Sequence, residues 1–182
     1  GDWSSDVCSS DLAADAINIT TAIFEANSAG TGTLDGGAAT DTITVSDTTT
    51  GIVDADFRGI TTVEALTLNN GANTIGLGAL AKAAGILTVT GGAGSGDTFN
   101  VTKAFVETAT LDIVAGGTGT DSISVTDSGA VDLTATAIND IEALTVAADA
   151  GADDVKIPQN LFDSGGGTTA ATITLTSAVD GD

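Results

Sequence analysis

Histidine, methionine and tyrosine are absent from this 182-residue chain, and cysteine, tryptophan and proline occur once each. Without His, and with a single thiol, neither Ser/His/Asp nor Cys/His nucleophilic catalysis is available, and the usual zinc sites are excluded as well. Basic residues are nearly missing: four stand against 25 acidic ones, for a formal charge of −21. Such a chain repels nucleic acid and anionic lipid surfaces, because both carry the same sign. Carboxylate-based glycan cleavage needs Asp or Glu gathered with Arg or Lys in a cleft. Here Arg58, Lys82, Lys103 and Lys156 lie on different repeats, and the adjacent Asp153 and Asp154 would point to opposite faces of a strand. No enzyme is expected. Apolar runs fall short of the roughly 18 residues of a membrane helix, so no membrane insertion is expected. The first residues carry neither a basic segment nor an apolar stretch of the kind that makes a secretion signal.

What is present is monotonous. The acidity is almost all Asp, which favours turns and caps through its short side chain; Glu occurs only at positions 25, 64, 107 and 142. Thr, Val and Ile favour strands, and 24 Gly residues supply turns. Composition predicts an all-β fold.

Repeats set the architecture. DTITVSD (41–47) recurs as DSISVTD (121–127), VEALTL (63–68) as IEALTV (141–146), and INIT (17–20) as FNVT (99–102), so one long unit spans about 80 residues. A finer rhythm runs inside it: alternating strand, Gly/Asn/Asp turn, second alternating strand, return segment. Copies begin at Thr33, Val63, Ile86, Thr110, Ile141 and Thr172, and these starts lie 30, 23, 24, 31 and 31 residues apart. That is the length of one coil of a parallel β-solenoid of five to six coils. A first apolar column is expected to hold Leu66 and Leu68, Leu87 and Val89, Leu111 and Ile113, Leu144 and Val146, and Ile173 and Leu175. A second holds Ile43 and Val45, Ile75 and Leu77, Phe99 and Val101, Ile123 and Val125, and Val155 and Ile157. A looser third set includes Val53, Phe57, Leu80, Phe105, Val131, Leu133, Leu161 and Phe162, and the stretch 77–85 fits a helical turn on a return segment. The alternative is an antiparallel β-sandwich, which also joins short alternating strands by turns.

Each turn between the columns ends in Asp or Asn, so Asp41, Asn73, Asp97, Asp121 and Asp153 or Asp154 are expected to stack. Stacked carboxylates repel one another unless a cation, solvent or backbone N–H groups relieve them, and calcium suits an all-oxygen set of this kind. GGTGTDSIS (116–124) resembles the nonapeptide G-G-x-G-x-D-x-U-x of RTX calcium-binding β-rolls, and GGAATDTIT (36–44) resembles it except at Ala39. GGAGSGDTF (91–99) carries one extra residue before Asp97. The resemblance implies Asp41, Asp97 and Asp121 as calcium ligands, and Asp153 occupies the last position of the column. The family's tandem spacing is missing, and Ala or Thr replaces the Asn/Asp inside the turns. An Asp that simply caps a Gly turn explains the same pattern.

The texture of residues 13–182 also resembles the β-strand-repeat proteins of bacterial surfaces, the S-layer proteins and large RTX-like adhesins. That resemblance implies an extracellular structural protein, self-associating into a layer or filament as part of a longer chain. The alternative is a calcium-dependent adhesin that binds a surface or a glycan. Asn18-Ile19-Thr20 and Asn100-Val101-Thr102 match the N-glycosylation sequon at equivalent repeat positions.

The opening GDWSSDVCSSDL shares none of these columns, yet it holds the only Trp and the only Cys. Residues 2–12 resemble the translation of a sequencing-library adapter and are set apart from the repeat domain, as a cloning scar would be. Cys8 then carries no redox or lipid role. Removing Asp2, Asp6 and Asp11 from the 25 acidic residues leaves 22, so the strong acidity stands.

Overall fold

Alternation decides which side chains go inside. In the segment TITV, Ile43 and Val45 are fully buried, while Thr42 and Thr44 stay half-exposed on the other face. A computed structural model describes residues 13–27, 32–94, 96–107, 111–114, 118–147, 154–158 and 172–176. The first half runs β1 (Ala16–Ile19), α1 (Thr21–Ala26), β2 (Leu34–Asp35), β3 (Thr42–Val45), a 3₁₀ turn (Asp54–Phe57), β4 (Ile60–Thr61), β5 (Ala65–Thr67), β6 (Thr74–Leu77) and α2 (Ala79–Ala84). The second half continues with β7 (Thr88–Thr90), β8 (Thr98–Val101), α3 (Lys103–Val106), β9 (Asp112–Val114), β10 (Ser122–Val125) and β11 (Val131–Asp132). It closes with β12 (Ala137–Asn139), β13 (Ala143–Ala147), β14 (Val155–Lys156) and β15 (Thr172–Thr176).

These strands form parallel sheets. The first orders β1-β3-β5-β7-β9-β12, the second β15-β13-β10-β8-β6, and β11–β14 and β2–β4 make two small pairs. Every ladder among the described residues is parallel, whereas an antiparallel sandwich would need the opposite sense. Register is strict. Ile17, Ile43, Leu66, Val89, Ile113 and Ile138 stand side by side across the first sheet. In the second sheet Ile75, Phe99, Ile123, Leu144 and Ile173 do the same, beside a parallel row of Leu77, Val101, Val125, Val146 and Leu175. As far as Ile138 in the first sheet and Leu144 and Val146 in the second, rows of like side chains about 4.8 Å apart bury apolar surface along the stack. Among the described residues the regular elements are mostly strands, arranged in parallel sheets with a few short helices.

Membership of the sheets departs from the sequence columns. Ile43 and Val45 join Ile17 and Leu66 in the first sheet, away from Ile75. Leu144 and Val146 join Ile123 and Val125 in the second, away from Leu66. Val155 pairs with Val131 in one of the small ladders. Val53, placed with the third set, is 50% exposed, while Phe57, Phe105, Val131 and Leu133 are buried. Leu161, Phe162 and residues 1–12 lie outside the described residues.

Segments leaving the strands close the core. Phe24 of α1 meets Phe57 edge-to-face, with ring centroids 4.9 Å apart and planes at 79°. The stretch 77–85 does form a helix: α2 buries Ala81 and Ala84 and ends at Gly85, whose φ of 104° only glycine adopts without strain.

Candidate functional site

The acidic residues that the sequence singles out lie at the strand starts, where each carboxylate faces a backbone N–H group one ladder step away. Two such lines run through the described residues. In the line that precedes the second sheet, Thr49 N–H donates to Asn73 Oδ1 (3.1 Å), Asn73 N–H to Asp97 Oδ1 (2.8 Å), Asp97 N–H to Asp121 Oδ1, and Asp121 N–H to Glu142 Oε2 (2.8 Å). Successive partners are 24, 24, 24 and 21 residues apart. In the line that precedes the first sheet, Asp15 N–H donates to Asp41 Oδ1 (2.7 Å) and Asp41 N–H to Glu64 Oε2 (2.9 Å), with separations of 26 and 23.

The expected single column is therefore two. Asn73, Asp97 and Asp121 stack as anticipated, but Asp41 belongs to the other line. Asp154 is exposed, and Asp153 lies outside the described residues. Glu64 and Glu142 hold places that the sequence reading gave to strand residues alone. The signal for them was the Glu kept at one position in both VEALTL and IEALTV.

Asp97 shows why the line is stable. Its Oδ1 also accepts from Asn73 Nδ2 (2.9 Å) and its Oδ2 from Gly92 N–H (3.1 Å), so both oxygens of this buried carboxylate are engaged. Asn73 in turn donates from Nδ2 to the carbonyls of Asn69 (3.0 Å) and Gly71 (2.8 Å). The following turn lies directly against this one. A Cβ on Gly92 would sit 1.8 Å from the Asn69 carbonyl oxygen, and one on Gly94 would sit 1.5 Å from that of Asn70. Asp121 is buried too, and burial pushes its carboxyl above the ordinary carboxylate range. The charges of Asp97, Glu142 and Asp140 act in the same direction, against the lowering effect of the Asp97 N–H bond.

A second use of carboxylates appears at the short helices. Asp47 accepts from Thr21 N–H (2.6 Å) at the start of α1, and Asp127 from Lys103 N–H (2.7 Å) at the start of α3. Asp54 accepts from the N–H groups of Gly78 (2.8 Å), Leu80 (3.1 Å) and Ala81 (2.9 Å) at the start of α2. Helix starts present unpaired N–H groups, and here a neighbouring ladder step supplies their acceptors. The repeated motif D-[ST]-I-[ST]-V-[ST]-D thus carries an acceptor at each end: Asp41 and Asp121 at the strand start, Asp47 and Asp127 at the preceding helix.

Two acidic oxygens differ. Asp41 Oδ2 and Asp15 Oδ2 are buried without a hydrogen-bond partner. Among the described residues, no group of three or more Asp, Glu or Cys side chains is placed to hold a metal ion.

A void of about 10 Å³ beneath Ile19, Phe24, Leu34 and Ile60 has room for one water at most. A shallow cleft of about 120 Å³ is lined by Glu107, Ala130, Val131, Asp132, Asp154 and Lys156. There Lys156 pairs with Asp132 at 3.0 Å. The Thr134 hydroxyl and Lys156 together hold the Asp132 carboxyl down at about 2. Arg58 follows the 3₁₀ turn, Lys82 lies in α2, Lys103 begins α3 and Lys156 lies in β14. Comparison with protein-family models, with curated proteins and with solved structures returns no match.

Proposed function

We propose that this chain is an extracellular structural protein, a parallel β-solenoid of about five to six coils that self-associates into a bacterial surface layer or filament. The observation that carries the reading is the pair of carboxylate lines, which tie each ladder step to the next at a 21- to 26-residue interval. Side chains engaged in this way serve the stack and leave little free for chemistry. Strand order supports coiling: β5 and β6, β7 and β8, β9 and β10, and β12 and β13 alternate between the first and second sheets. A helix or short strand follows the second member of each pair. A parallel ladder presents unpaired backbone groups at its edges, and stacking between copies satisfies them. No catalytic step belongs to this reading.

The second reading, a calcium-dependent adhesin, draws on one observation. The buried, unpartnered oxygens of Asp41 and Asp15 have the chemistry of calcium ligands. One experiment addresses both. Thermal unfolding and particle size are measured with millimolar calcium and then with excess chelator. Assembly in both conditions with an unchanged midpoint supports the structural reading alone. A midpoint that drops on chelation, and less so in Asp41→Asn, supports calcium at Asp41. Monodisperse monomers throughout overturn the assembly.

A further inference from the structure

The turn 69–73 contains the one Asn-Gly dipeptide of the chain, Asn70-Gly71. Its chemistry has no part in the stacking role. We propose that Asn70 is a site of spontaneous covalent modification, converting through a succinimide to aspartate and isoaspartate in the folded protein.

Two packing demands create the dipeptide. A Cβ at position 71 would lie 1.9 Å from Thr48 Oγ1, so the close approach of the neighbouring step calls for glycine there. Asn70 supplies an acceptor for the step on the other side, with Ala93 N–H donating to its Oδ1 at 3.0 Å. Glycine offers no side chain to shield its own nitrogen, and Asn70 is exposed to water.

The Ala93 hydrogen bond favours the reaction. The Gly71 nitrogen attacks Cγ of Asn70, and negative charge develops on Oδ1, where the Ala93 N–H already points. The N–H of Gly71 donates to Asn69 Oδ1 at 2.9 Å, and this contact opens as the nitrogen turns toward Cγ. The Gly71 proton passes to solvent base, the side-chain amide nitrogen takes up a proton from solvent as its bond to Cγ breaks, and ammonia leaves. Water then opens the ring at either carbonyl, giving aspartate or isoaspartate. Both products add a negative charge. Isoaspartate also inserts a methylene into the main chain and displaces the Asn70 carbonyl against which Gly94 packs.

The test follows the intact chain at mildly alkaline pH by peptide mapping, with isoaspartate read by enzymatic methyl transfer. The folded chain is expected to convert residue 70 at least as fast as the chain in urea, at a rate that rises with pH. Asn18, Asn73, Asn100 and Asn139 should remain intact. Folded-state conversion more than about tenfold slower than in urea would overturn the proposal, because the fold would then be blocking the reaction. Ala93→Pro, which lacks the donor, should slow conversion in the folded state and leave the urea rate unchanged. If that variant does not fold, the comparison of folded with urea-treated wild type decides alone.

Discussion

A single column position shows how far residue identity can be argued. Asn73 and Asp121 occupy equivalent places in one line, each accepting a backbone N–H from the preceding step through Oδ1. The amide does this without charge, whereas Asp121 is buried beside Asp97 and Glu142 and its carboxyl is raised above the ordinary range. A carboxyl raised by folding penalises the folded state wherever the group is ionised. That penalty is full above the raised value, is relieved as pH falls through it, and is gone below the unfolded value. Asp121→Asn keeps the acceptor and removes the charge. It should therefore raise the unfolding midpoint at neutral and alkaline pH, with the gain fading as pH falls into the usual carboxylate range. Melting curves across that range check it, and a variant less stable than wild type at pH 8 would show that the charge itself holds the step together. At this scale the sequence was informative in part: Asn73, Asp97 and Asp121 do stack, and they do so on backbone N–H groups, the capping role open to them from the start.

At the scale of elements, turns stack on turns with almost no clearance, and glycines mark the contacts. Gly94→Ala would place a Cβ 1.5 Å from the backbone oxygen of Asn70, an atom that cannot yield without moving the step below. The expected loss is about 4 kcal/mol or more, among the largest that point substitutions cause. Gly76→Ala meets nothing closer than the Cα of Val53 at 3.3 Å, and should cost no more than about 1 kcal/mol. Chemical denaturation separates the two, and equal losses would remove the argument from turn stacking. The limits of the sequence also lie here. Alternation told which residues of each strand face inward, as with Ile43 and Val45 or Phe99 and Val101, but it carried no information about which sheet a strand joins. Joining is set by the length of chain between steps and by the connection that fills it. The segments after the first-sheet strands vary: β3 is followed by an irregular stretch and a 3₁₀ turn, whereas β5 is joined to β6 through residues 68–73. Counting strands in order therefore put Ile43 in the wrong row. Glu64 and Glu142 escaped for a related reason, since a Glu beside an alternating strand looks like a solvated surface residue until the neighbouring step is in place.

The whole molecule carries 25 acidic and four basic residues, so its acceptor lines form against a background of self-repulsion. The bonds to backbone N–H groups are largely buried, whereas the repulsion acts through solvent. Salt should therefore relieve the second more than it weakens the first. Raising NaCl from roughly 0.01 M to 1 M shortens the screening length from about 30 Å to about 3 Å, and the unfolding midpoint should rise by several degrees. A flat or falling midpoint in calorimetry would mean that surface charge does not limit this fold. A last consequence follows from the register of the repeats. DTITV of the first copy lies in the first sheet, and DSISV of the second copy lies in the second sheet, although the two segments match residue for residue in character. A unit of about 80 residues exceeds three ladder steps of 24 by roughly one strand and its turn. In the coiled arrangement proposed above, genetic amplification of this unit would thus advance each new copy by one side. Any epitope it carried would wind around the circumference, and a partner approaching from one direction would meet a different part of the motif at every copy.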